Sequence, residues 1–463
     1  MHEAKDQDPS DIGLAGYAKL LCSAVFVTGT GEEAAREHSR NVAVDLLKLP
    51  ESDLEHLDDV IDYDRKRVHA TLPGGYRRSA GFYGDQGCIV HPREHDGIFF
   101  DLVPVRTALP PADTQAWPMG DLLPEQPLPP EVDEEKLRAA VELAFEPPAR
   151  TTSLAVVYKG RLIAERYASG ICKDTLLESW SMGKSLTGTL AGRLIQEGRL
   201  KMTGPAPVPE WQAPGDPRCE IRMEDLFRMS SGLDFTLYEV MEQTPQGTYR
   251  ISSAYPDHYY VYPCALDVFQ YAVSRRLRFS PGTVGRYRNC DPLTLGYLVR
   301  RAVEARGEEY LTFPQRALFD RIGIRRMVLD TDPYGNFILS GYEYGTVRDW
   351  ARIGLLYLQG GVWQGKRLLP EEFVEFVRTP APAWFNEEGE PSESRYGAMW
   401  WLNTTGNFDA PADAFYAAGA GGQNTLVIPS RDLVVARLTE YDVLSVSVPA
   451  FNAALRGIQD AIG

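Results

Sequence analysis

The chain has 463 residues, of which 44% are apolar and 24% charged, the balance of an ordinary globular protein with a sizeable core. A formal net charge of −16 makes nucleic acid and anionic membrane surfaces poor partners and disfavours strongly anionic substrates. Six cysteines are scattered without a C-x-x-C pair, which argues against a structural zinc site and a dense disulfide framework and predicts free thiols, no metal and no cofactor. The first residues are polar and acidic, and no apolar run reaches the ~18 residues of a membrane span. The expectation is a cytoplasmic protein without a membrane span.

In chain order, residues 1–125 read as a separate N-terminal α+β extension. Leu14 to Val27 predicts an apolar helix broken by Gly29 and Gly31, and Glu32 to Leu49 an amphipathic one. Strand-like pieces follow at 67–72 and 87–91. Five of the seven histidines lie between His38 and His95, at spacings that match no metal site. The proline-rich stretch from Leu109 to Pro130 predicts a segment that tethers rather than packs. Residues 126–150 are assigned as a linker, with a short helix from Val132 to Phe145, and 151–463 as the main domain. Homodimerisation and capping of a cleft are the two roles considered for the extension.

The main domain opens with two strands, 153–158 and 161–167, around the two-residue turn Lys159-Gly160. A helix carrying Leu186, Leu190 and Leu194 comes next, then a short helix in 221–232. The tyrosine-rich stretch 233–263 reads either as a substrate-lining insertion or as a packed surface loop. Helical runs at 293–303 and 349–358, a second hairpin at 424–438 and a final helix at 448–462 complete the chain. Strands at both ends of this region predict one sheet built from both termini.

The stretch Ser179-Trp180-Ser181-Met182-Gly183-Lys184 follows a strand-like run and opens a helix. Ser181 and Lys184 at i and i+3 share a helix face, so hydroxyl and amine can exchange a proton. A serine at a helix N-terminus also meets free N–H groups and the positive dipole end, as a nucleophile with half an oxyanion hole requires. About one S-x-x-K is expected by chance in a chain this long, yet of the ten lysines only Lys184 has a serine three residues before it. A Ser-His-Asp alternative has one histidine to draw on after residue 150, His258, and no G-x-S-x-G elbow.

Three further groups supply what a Ser-Lys pair needs. Tyr287 sits in a turn after Pro281-Gly282-Thr283 and before a helix; its phenol can take the serine proton if the Lys184 ammonium lowers its pKa. Asn289 can bridge Lys184 and a substrate carbonyl. The small residues Gly419, Ala420 and Gly421, before a strand, allow backbone N–H groups close to an acyl oxygen. Tyr334-Gly335-Asn336 repeats the Y-x-N spacing but follows Asp332-Pro333 in what reads as a bare loop.

Ser181-Met-Gly-Lys184, the 226–233 segment, Tyr287-Arg-Asn289, the 345–354 segment and Gly419-Ala-Gly-Gly-Gln423 occur in this order. Together they resemble the serine β-lactamase/penicillin-binding-protein superfamily, in particular its class C-like esterase, D-aminopeptidase and nylon-oligomer hydrolase branch. The resemblance covers roughly residues 150 to 463. It implies an α+β fold, an antiparallel sheet flanked by helices with a mostly helical subdomain. It also implies Ser181 as acylated nucleophile, Lys184 as its partner, Tyr287 as general base then acid, and Asn289 as substrate-orienting residue. The Ser181 N–H and one N–H of the 419–421 edge would form the oxyanion hole. Ala417 and Ala418 stand where the family often carries Lys, His or Trp, which weakens a penicillin or peptidoglycan reading. The expected activity is hydrolysis of small esters or linear amides. β-Lactamase or D-amino-acid peptidase activity is the alternative, and a non-catalytic acylatable sensor the second one.

Overall fold

The computed structural model describes residues 8–235, 242–244, 247–249, 257–384, 396–440 and 448–463. About half of the tyrosine-rich stretch 233–263 lies outside the described residues, Tyr255 included. Its end, 257–263, packs inward: a short helical turn Asp257–Tyr260 leads to Tyr262, all buried.

Strands from both ends of the main region do meet. Thr151–Tyr158 pairs with Leu433–Thr439 on one side and Arg161–Tyr167 on the other, inside an antiparallel six-stranded sheet. Beyond Leu433–Thr439 come Gln423–Ile428, Phe415–Gly419 and the edge pair Trp401–Leu402. The tight turn at Lys159-Gly160 has both residues at positive φ, which matches the right-handed twist of the flanking strands. Both faces of the sheet are covered. Val347–Leu358, capped by a reciprocal Thr346/Asp349 box, lies on one face. The final helix Val448–Ala461 packs with Glu134–Leu143 on the other, sharing a core with Leu154, Val156, Val435 and Leu426. The latter helix falls inside the stretch expected to be a linker.

The Ser181 helix, Met182–Gln196, runs through the middle. Leu186, Leu190 and Leu194 are fully buried, as their spacing predicts. Gly192 lies against Phe373 and Leu369, and Gly188 against Met399, so the small residues let neighbouring side chains approach the helix backbone.

The N-terminal extension packs Pro9–Ser23 on a four-stranded sheet, with Leu14, Tyr17, Leu21, Val68, Ala70 and Ala80 in its core. Two of that sheet's strands, Asp58–Asp62 and Tyr76–Phe82, are not evident from the sequence, the first because three of its five residues are aspartates. Pro9–Thr28, a helix with a π-helical end, is long and apolar enough to cross a membrane, against the expectation of no such run, but 83% of its most apolar window is buried inside the fold.

The proline-rich stretch packs, contrary to the tether expectation. Arg352 donates to Pro118 O and Gly120 O, both at 2.8 Å, and Trp117 Nε1 donates to Gly160 O at 3.0 Å. Extended chain of this kind leaves its carbonyls free, and buried guanidinium groups gather them.

Candidate active site

Three elements converge on Ser181. The first is the helix it caps. A two-residue strand, Leu177–Glu178, pairs with Glu343–Gly345, after which Trp180 turns the chain with φ +47° and Ser181 enters the helix at φ −63°, ψ −1°. A bulky residue at positive φ is strained, and the surrounding packing must hold it. Trp180 is buried with its ring against Tyr262 and Tyr342 (centroids 6.0 and 5.4 Å).

Lys184 comes off the next turn. Its Nζ lies 2.8 Å from Ser181 Oγ and donates to Ser340 O at 2.7 Å. The chain reaches that carbonyl through Leu339-Ser340-Gly341-Tyr342, where Tyr342 adopts φ +78°. The lysine is 2% exposed. Burial drives its pKa from 10.5 down to about 7, opposed by the nearby Glu343 carboxyl. A buried amine of this kind is largely free base at mildly alkaline pH and can accept a proton from the hydroxyl it touches.

The third element is the turn before the helix Cys290–Glu304. Asn289 occupies its N-cap position and Tyr287 lies two residues before. Lys184 Nζ sits over the Tyr287 ring, 4.9 Å from its centroid. Burial pushes the Tyr287 phenol well above its ordinary value, opposed by hydrogen bonding to Ser181. This corrects the expectation that the lysine lowers that pKa. Desolvation acts on both groups, and it favours neutral amine beside neutral phenol over ammonium beside phenolate. Asn289 also differs from expectation: its Nδ2 donates to His258 O at 2.7 Å, whereas the hydrogen bonds of Lys184 run to Ser181 and Ser340.

Two residues that sequence reasoning missed belong to this cluster. Tyr262 donates to the same Ser340 carbonyl at 2.8 Å, and hydrogen bonding with Asn289, Ser340 and Ser181 opposes the upward push of burial on its phenol. Glu343 is 1% exposed and accepts from Ser179 Oγ at 2.7 Å. Its carboxyl lies on the Cα of Gly183, where any β-carbon would overlap it. Burial raises its pKa to about 8. The available signal for Glu343 was a single acid between two tyrosines in Gly341-Tyr-Glu-Tyr-Gly345.

The strand edge Gly419 backs directly onto the Ser179 carbonyl, again with no room for a β-carbon. That contact places Gly419 beside Ser179, two residues before Ser181. The 419–421 loop is held from behind: Gly422 O accepts from Arg437 Nη2 (2.8 Å) and Asn424 Nδ2 (2.7 Å), and Thr439 Oγ1 donates to Gly421 O. Trp401 lies beside Tyr287 (5.2 Å) and joins Tyr396 and Trp384 in an aromatic wall.

His258 lies within this cluster, its ring 5.9 Å from Tyr287 and 6.3 Å from Tyr262. Burial and Lys184 hold its pKa well below the usual value, and its Nδ1 has no hydrogen-bond partner among the described residues, so no described acceptor orients it through Nδ1 as a triad base would be. Tyr334 is 44% exposed, and Asn336 bonds Asp332 and Asp267, away from Ser181. Among the described residues no group of three metal-binding side chains occurs.

Known proteins share this architecture. A 6-aminohexanoate-dimer hydrolase of Paenarthrobacter ureafaciens is 26% identical over 297 residues, 63% of this chain and 73% of its own length. A penicillin-binding protein homologue from Caulobacter crescentus superposes with a TM-score of 0.53 at 16% identity, over 71% of this chain and 98% of that one. A family VIII carboxylesterase superposes at 0.51 and 16% identity, over 72% and 99%. The sequence profile of the beta-lactamase family matches residues 141–455. The chain therefore belongs to the beta-lactamase family, a family of serine hydrolases.

Proposed function

We propose that Ser181 is the acylated nucleophile and that the substrate is a small ester or linear amide. The observation that carries this reading is the 2.8 Å contact between Ser181 Oγ and a buried Lys184 whose pKa has fallen to about 7. The free amine takes the hydroxyl proton as Oγ attacks the acyl carbon. The carbonyl oxygen turns its charge toward the Ser181 N–H and the 419–421 strand edge. Tyr287, a neutral phenol beside both groups, passes a proton to the leaving alcohol or amine, and Lys184 replaces it. Water then attacks the acyl-enzyme by the same relay in reverse. Asn289 and Tyr262 hold the phenols and Ser340 in register.

Among substrate classes, Ala417 and Ala418 favour an ester or linear amide, because they offer no cation to a substrate carboxylate. The amide-cleaving name of the Paenarthrobacter relative supports the same class. The test is nitrophenol release from p-nitrophenyl acetate with intact-mass detection of the adduct. Wild type is expected to give a burst, a +42 Da species of about that size, and steady turnover. Ser181→Ala is expected to give none of these. A Ser181→Ala variant that labels and turns over like wild type overturns the assignment, and one equivalent of label without turnover identifies a sensor.

A further inference from the structure

A second cavity, of about 460 Å³, lies between the N-terminal extension and the strap that leads to Ser181. Its volume is that of a small-molecule site. Leu20 and Ala24 come from the first helix, Ile171, Leu177 and Trp180 from the strap, and Glu178 lies on the wall between them. Among the described residues, the lining includes two acids, Glu178 and the exposed Glu440, and neither lysine nor arginine. His38 also lines it, but burial and the Arg150 charge lower its pKa to about 4, so it brings no positive charge.

The charges behind this wall do not balance. Lys19 is 1% exposed and directs its ammonium to Asp330 Oδ2 (2.5 Å), Ser23 Oγ (2.7 Å) and Tyr344 OH (3.0 Å). Three donors are all an ammonium has. Among the described residues, Glu178 receives only the Tyr344 hydroxyl, at 2.9 Å on Oε1. One cation thus serves two carboxyl groups, and the one left without a direct charged partner is the one that borders the cavity.

We propose that this cavity binds a small organic cation, a primary alkylammonium, with its head on Glu178 and its chain along Leu20, Ala24, Leu177 and Trp180. A carboxylate beside apolar side chains suits a charged head with an apolar body, and two acids, one of them exposed, fall short of the several oxygen ligands that a metal ion needs. The site is separate from the Ser181 cluster. The Trp180 ring borders the cavity and also packs on Tyr262 and Tyr342. The proposal does not depend on the assignment of Ser181.

Titration calorimetry of the full chain with n-hexylammonium chloride and with 1-hexanol at pH 8 tests it, with Ser181→Ala run beside wild type to remove acyl chemistry. One equivalent of hexylammonium is expected to bind both proteins at least tenfold more tightly than hexanol. Glu178→Gln keeps an acceptor for Tyr344 and is expected to erase that preference while still binding hexanol. Ala168→Phe, which places a ring in the cavity from a half-buried position, is expected to weaken both ligands tenfold or more. Equal binding of amine and alcohol by wild type, unchanged amine binding in Glu178→Gln, or unchanged binding in Ala168→Phe overturns the proposal.

Discussion

The pH dependence of acylation follows directly from the burial of Lys184. An exposed lysine of pKa 10.5 is about 0.3% free base at pH 8, whereas one of pKa about 7 is about 90% free base, a roughly 300-fold gain in the form that accepts the Ser181 proton. The shift corresponds to roughly 5 kcal/mol of disfavoured charge. The burst rate with p-nitrophenyl acetate, measured from pH 5 to 10, is therefore expected to rise through a midpoint near 7 and to be flat by pH 8.5. Glu343 sets where that midpoint lies. Losing one proton from the Lys184/Glu343 pair yields two tautomers, free amine with carboxylic acid or ammonium with carboxylate, and only the first is a base. Glu343→Gln keeps the hydrogen bond from Ser179 but deletes the second tautomer, so the midpoint is expected to move to lower pH. A wild-type midpoint above 9 would refute the buried-base argument. A midpoint that is unchanged or raised in Glu343→Gln would refute the coupling.

Other perturbations test the remaining parts. Tyr287→Phe is expected to lower kcat/KM for the ester by about 10² or more, the usual size of a proton-transfer contribution, and Tyr262→Phe by less, with both variants melting near wild type. Gly419→Ala drives a methyl group into the Ser179 carbonyl, so kcat/KM is expected to fall at least tenfold while circular dichroism stays native; unchanged kinetics would remove the 419–421 edge from the site. Lys19→Met leaves Asp330 and Glu178 without their shared cation and is expected to cost about 3–5 kcal/mol in urea unfolding. Burial raises those carboxyl groups to about 6 and about 7, so the stability tied to their protonated forms is complete below their unfolded values near 4 and is lost as pH rises through 6–7. The Lys19→Met deficit is accordingly expected to be smaller at pH 5 than at pH 8.

What the sequence determined by itself is whatever depends on near neighbours. Leu186, Leu190 and Leu194 marked one helix face, Lys159-Gly160 marked a hairpin, and Ser181 with Lys184 lay one turn apart, so helix geometry alone put hydroxyl beside amine. Tyr287 and Asn289 were legible because a turn and a helix start surround them. That strands from both ends of the main domain share one sheet was legible from their patterning; that the first and last of them pair was not. Tertiary structure alone decided the chemistry of those groups, because a pKa depends on the surrounding dielectric, which segments distant in sequence supply. Ser340 O and Glu343 reach Lys184 across more than 150 residues, and that enclosure favours a neutral amine beside a neutral phenol at Tyr287, the reverse of the expected order. The same holds for Tyr262, for Cys22 and Cys88, whose sulfurs lie 2.7 Å apart although the residues are 66 positions apart in sequence, and for the proline-rich stretch. Its composition predicted a free tether, but buried arginines on other elements needed its carbonyls, and hydrogen-bond demand in the interior fixed it in place.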